Sequence, residues 1–144
     1  MNRSIMLEEI YPHPPEKVWK AITNPKALSA WLMETDFQPY VGHQFTFRTA
    51  SSIGFDGVVH CEVLLVDEPK KLAYTWQGGP MKKPTVVTWT LTPVAEGTKV
   101  KLEHTGFEGL AGIAVSFLLG SGWKRLCRKA LHNYLSSPQA IELE

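Results

Sequence analysis

The stretch from Gly109 to Trp123 carries no charge, and a helical pattern continues from it to Ser136. A single helix of that length, placed after a long series of short strands, can hide its apolar side only against a sheet that curves around it. Where the two surfaces do not quite meet, the space between them is a pocket for an apolar guest.

The rest of the chain supplies the strands. Ile5, Leu7 and Glu9 alternate with Met6, Glu8 and Ile10, predicting a first strand that ends near Tyr11, where Pro12, Pro14 and Pro15 stop it. Proline suits a helix's first turn and Glu16 suits its positive end, so residues 16–23 read as a short helix burying Val18, Trp19 and Ile22. Asn24-Pro25 repeats the start signal for a second short helix ending near Trp31. From there the period is two. The inward rows are Phe45 and Phe47; Val59, Cys61, Val63 and Leu65; Leu72, Tyr74 and Trp76; Val87, Trp89 and Leu91; and Val100, Leu102 and His104. Turns fall at Glu68-Pro69-Lys70, Gly78-Gly79-Pro80 and Glu96-Gly97.

The predicted order is one strand, two short helices, six strands and one long helix. That is an α+β fold in which a curved antiparallel sheet (β-α-α-β6-α) wraps the last helix and the short pair closes one end. A single domain over residues 1–144 is expected, because a chain of this length supports one core.

Charge narrows the partners. Lys and Arg number 15 against 14 Asp and Glu, without the basic surplus that duplex binding demands, so no nucleic acid is expected. Lys70-Lys71 and Lys82-Lys83 sit beside prolines and read as solvated turns. Cys61 and Cys127 lie in apolar patterns far from any Cys-x-x-Cys spacing and are expected as buried free thiols, in keeping with a reducing, cytoplasmic setting. The first residues contain acids where a signal peptide would be apolar, and no run approaches the roughly 20 apolar residues of a membrane span. Stable membrane association is not expected.

The candidate site is the face where sheet meets helix. Phe45, Phe47, Val59, Cys61, Tyr74, Trp76 and Trp89 gather on the sheet side, Trp123, Cys127 and Tyr134 on the helix side, and Trp31, at the end of the second short helix, joins the lining. At about 100° per residue, Trp123, Leu126, Cys127, Ala130 and Tyr134 share one side of the helix, and Arg125, Arg128, Lys129 and His132 the other. The small residues Gly112, Ser116 and Gly120 precede Trp123 on the inward stripe; opposite large rings they either interdigitate or leave a cavity. His104 is the polar side chain that the alternation points inward. It can orient a ligand carbonyl or hydroxyl, or be satisfied by a neighbour. The five histidines show no metal-ligand spacing, and no nucleophile or paired-carboxylate motif appears; neither metal, cofactor nor enzymatic activity is expected. Ala114 and Leu118 fall in the outer column of the last helix. The first expectation is that the short helices or a loop cover them, ahead of a lid or homodimer contact, with lipid contact last.

A set of fragments in order adds a resemblance. They are Pro15-Glu16-Lys17-Val18-Trp19, Thr23-Asn24-Pro25 leading to Trp31, Gly42-x-x-Phe45, Gly57 with Val63, and Pro69 followed by Leu72-x-Tyr74-x-Trp76. Val87-x-Trp89-x-Leu91, Gly97-Thr98-x-Val100-x-Leu102-x-His104-x-Gly106-Phe107 and Gly122-Trp123 complete the set. The chain so resembles the START-like (SRPBCC, helix-grip) superfamily, nearest the branch of the heat-shock-protein-90 ATPase activator homologues. The resemblance implies a cavity for a small apolar or aromatic ligand, such as a lipid, sterol, polyketide or flavonoid, between sheet and helix. Its alternatives are a module that stimulates a chaperone ATPase and a cyclase- or hydrolase-type enzyme. A monomer or homodimer is consistent with either binding role.

Overall fold

The structure, a computed structural model, describes residues 2–142. β1 (Asn2–Tyr11) leads into α1 (Pro15–Thr23) and α2 (Pro25–Trp31). Six strands follow: β2 (Glu34–Thr35), β3 (Gln44–Arg48), β4 (Val58–Asp67), β5 (Lys71–Trp76), β6 (Thr85–Val94) and β7 (Gly97–Glu108). The chain ends in α3 (Gly109–Arg125), a π-helical segment (Leu126–Ala130), α4 (Leu131–Leu135) and α5 (Pro138–Glu142). The strands form one antiparallel sheet in the order β1-β7-β6-β5-β4-β3-β2, so the first strand closes onto the last. This is the expected helix grip. Among the described residues, no helix is long and apolar enough to cross a membrane.

Local chemistry sets the short helices. The Asn24 carboxamide accepts the N–H groups of Lys26 and Ala27 at 2.9 and 3.1 Å, capping α2 just where α1 stops. The Trp31 indole N–H donates to the Ala21 carbonyl at 2.8 Å, which locks α2 back onto α1. The Trp19 indole donates to Glu68 at 2.9 Å and pins α1 to the β4–β5 turn.

Two details depart from simple alternation. The β4–β5 register shifts between Val63 and Leu65, so Leu65 leaves the inward row expected for it and lies beside Leu64 on the exposed side. In the last helix, the Leu131 N–H reaches back five residues to Leu126, and the Cys127 carbonyl accepts the Tyr11 hydroxyl at 2.6 Å. That wide turn holds the phase of the helix back by about one residue, roughly 100°. Leu131 and Leu135, off-centre in an uninterrupted α-helix, are thereby fully buried.

The small residues settle how close α3 comes. A Cβ on Gly112 would lie 3.4 Å from the Phe107 backbone, and one on Gly120 would lie 3.8 Å from Ile5. Ser116, fully buried, turns its hydroxyl back to the Ile113 carbonyl at 2.6 Å. The stripe therefore interdigitates with β1 and β7 and draws α3 onto that edge of the sheet.

Gly97 makes the tightest turn of the sheet. Its φ is 139°, and a Cβ there would strike the Tyr11 carbonyl oxygen and crowd the His13 N–H. Gly97→Ala is expected to cost about 2 kcal/mol by forcing the β6–β7 hairpin off the end of β1. Urea unfolding checks this, and an unchanged midpoint would show that the hairpin can move aside.

Candidate functional site

The residues expected to line a cavity are buried, and the structure brings most of them together as a continuous aromatic layer. Trp31 meets Trp89 at a centroid distance of 6.2 Å, Trp89 meets Trp123 at 5.8 Å, and Trp123 meets Trp76 at 5.3 Å. Trp76 continues to Phe47 at 5.5 Å, Phe47 to Phe45 at 5.4 Å, and Phe45 to Tyr74 at 5.5 Å. Phe37, fully buried in the irregular segment before β3, completes the layer against Phe45 and Tyr74. Cys61 and Val59 lie in the neighbouring row of β4, paired with Phe45 and Phe47 across the ladder. Cys127 and Tyr134 are buried further along the last helix.

His104 sits at the centre with both ring nitrogens engaged. The Trp123 indole N–H lies 3.0 Å from Nδ1 and must donate to it, which makes Nδ1 the acceptor and places the ring proton on Nε2. Nε2–H then donates to the Thr85 hydroxyl at 2.7 Å, and that hydroxyl donates to the Trp76 carbonyl at 2.7 Å. Burial holds the imidazole neutral, lowering its pKa to about 3. Every polar atom of the ring is satisfied inside the core, and none is left for a ligand.

The open space lies beside this layer. Because α3 is drawn toward β1 and β7, its other flank stands off from β4 and β5 and leaves a groove of about 500 Å³. Val115 and Leu119 form the helix wall, and Phe55 and Met81, from the loops before β4 and after β5, form the opposite one. Of the residues expected at the site, Val59 and Trp76 border the groove. Ala114, Leu118 and Ile53 stand at its mouth. Leu118 is 76% exposed, so neither the short helices nor a loop covers it as expected. The reason is reach: α1 and α2 pack on α4, at the far end of the helix. The only polar side chains of the lining are Thr49 and Ser52. The Trp76 indole N–H, unlike those of Trp19, Trp31, Trp89 and Trp123, has no acceptor among the described residues.

The groove-forming loops, residues 49–57 and 78–81, have no hydrophobic period, and alternation did not reveal them. Their available signal was isolated Ile53, Phe55 and Met81 set among glycines.

Residues 12–136 match the family described as "Activator of Hsp90 ATPase homolog 1-like protein". The chain belongs to that family. A solved structure of protein MLL2253 from Mesorhizobium loti is 36% identical with a TM-score of 0.82, covering 92% of this chain and 96% of that one. Protein BH1534 of Bacillus halodurans is 25% identical with a TM-score of 0.78, covering 94% of this chain and all of that one. DynU16, a protein of the dynemicin biosynthetic locus, shares the fold at 22% identity and a TM-score of 0.77, over 93% of this chain and 47% of its own. Among curated proteins, none matches.

In this member of the activator-like family, the thiols are buried and free, as the sequence implied. Burial pushes the Cys127 thiol up to about 12 and that of Cys61 up as well, so neither offers a thiolate near neutrality. Among the described residues, no cluster of three or more His, Cys, Asp or Glu could hold a metal ion.

Proposed function

We propose that this member of the activator-like family binds a small apolar or aromatic ligand in the groove beside α3. One observation carries the reading: an apolar groove of about 500 Å³ opens onto the aromatic layer. Its size falls within the roughly 300–1,000 Å³ of ordinary ligand sites. The Trp76 indole N–H suits a ligand that carries one oxygen acceptor on an apolar body, as in a polyketide, flavonoid, sterol or fatty acyl chain. Binding rather than turnover is favoured because the lining contains no carboxylate, histidine, cysteine or lysine side chain.

The family description favours a second reading, an interaction module that stimulates the ATPase of a chaperone. Ala114 distinguishes the two, since it is exposed at the groove mouth and can be enlarged without disturbing the core. The probe 1-anilinonaphthalene-8-sulfonate is expected to bind saturably at one site, and Ala114→Trp to weaken it at least tenfold with an unchanged melting temperature. Undiminished probe binding in that variant would remove the groove as the site. Chaperone ATPase stimulation that survives Ala114→Trp would favour the second reading.

A further inference from the structure

Beyond the groove, α3 presents an apolar row to solvent. Leu110, Phe117 and Leu118 are 83%, 58% and 76% exposed, with Ala114 on the same side. Ile53, fully exposed at the tip of its loop, stands across the groove mouth from Leu118. Scattered apolar residues on a surface are ordinary, but a row along one helix marks a contact.

The border of the row indicates what it meets. Lys82 and Lys83 share with Leu110 the rim of a cavity of about 370 Å³. The Arg3 guanidinium lies 3.7 Å from the centre of the Phe117 ring. Lys124 and Arg125, both exposed, follow in the last turn of α3. Glu108 lies 3.8 Å from Lys83, and the Asp56 carboxylate, in the loop before β4, accepts the Val58 N–H. Apolar side chains framed by cations match a surface that is apolar beneath and anionic above.

We propose that this face docks the protein on an anionic lipid surface. Leu110, Phe117, Leu118 and Ile53 enter the boundary between headgroups and acyl chains, while Arg3, Lys82, Lys83, Lys124 and Arg125 meet the lipid phosphates. Docking is peripheral and reversible. A second copy is the poorer occupant, because two-fold pairing along the row would set these cations against their own equivalents. The proposal does not rest on the groove's being occupied, since Leu110 and Phe117 lie outside its lining.

The test is co-sedimentation of the full chain with vesicles of phosphatidylcholine, alone or mixed with phosphatidylserine. Binding is expected for the mixed vesicles only, weakening as salt is raised. Lys82→Gln and Lys83→Gln should each weaken it about fivefold. The double variant Leu110→Asp with Phe117→Asp should abolish sedimentation while keeping the wild-type melting temperature and anilinonaphthalene binding. Equal binding to pure phosphatidylcholine, or retained binding in the double variant, would overturn the proposal. So would a wild-type dimer that the double variant dissociates and that ignores vesicles, which would assign the face to a second copy.

Discussion

Replacing Trp123 by alanine is expected to remove about 4 kcal/mol of stability, the largest single loss available in this core. Three effects coincide at this residue. The cavity would open between Trp76 and Trp89, whose rings lie 5.3 and 5.8 Å from that of Trp123, depriving each indole of one of its ring contacts. The His104 Nδ1 would lose its donor while staying buried. The helix would also lose the ring that seats it on the sheet between the small residues of α3 and Cys127. Trp123→Phe separates these effects, because it keeps most of the packing and removes only the indole N–H; it is expected to cost about 1–3 kcal/mol. Urea denaturation at neutral pH reads both, as midpoint shifts at constant slope. If the phenylalanine variant were as damaging as the alanine one, the hydrogen bond would outweigh the packing, contrary to this account.

The second large effect is a dependence on acid that belongs to His104. In the unfolded chain this imidazole titrates near 6.5, whereas in the fold its pKa is about 3. Between those values the unfolded state binds a proton that the native state refuses, so stability rises with pH across the window and is lost as pH falls through it. The slope is about 1.4 kcal/mol for each pH unit, with the full contribution present above about pH 6.5. Carboxylates add their own acid dependence, which a paired measurement subtracts. His104→Gln can still accept from Trp123 and donate to Thr85, but it carries no titrating group. Stability of wild type and variant should therefore converge as pH is lowered from 7 toward 4. Parallel curves would show that the imidazole takes up its proton within the fold.

The sequence made the sheet and the aromatic layer legible for one reason. Phe45, Phe47, Tyr74, Trp76 and Trp89 are buried on one face only, and burial on one face writes itself as a period of two. The same rule failed wherever the backbone left its period. Leu65 read as inward because a bulge is silent in the alternation. β2, two residues long, is too short to show one. Leu131 and Leu135 owe their burial to the π-helical turn, which no residue type announces. The groove escaped for a related reason. Its walls come from loops without a period and from the flank of α3, and the space depends on which edge of the sheet the helix approaches. Gly112, Ser116 and Gly120 determined that approach; they were visible as a stripe, but the strands they would face were not. His104 was legible as an inward polar group, whereas its partners Thr85 and Trp123, each 19 residues away in the chain, required the fold.

The pairing of β1 with β7 has a consequence for the order in which the molecule can be assembled. Asn2 lies opposite Glu108 and Tyr11 opposite Thr98, so β1 leaves the ribosome before the other six strands yet is among the last to find its partner. At synthesis rates of roughly 5–20 residues per second, β1 waits several seconds for β7 to be made. Met6 and Ile10 remain on the exposed side even in the finished sheet, so throughout that wait the strand has both an open edge and an apolar face. The meander from β3 to β6 can form from near neighbours, but the edge of the sheet on which α3 packs is incomplete until β1 has paired with β7, which makes closure of the β1–β7 ladder the step at which a nascent chain is committed or lost.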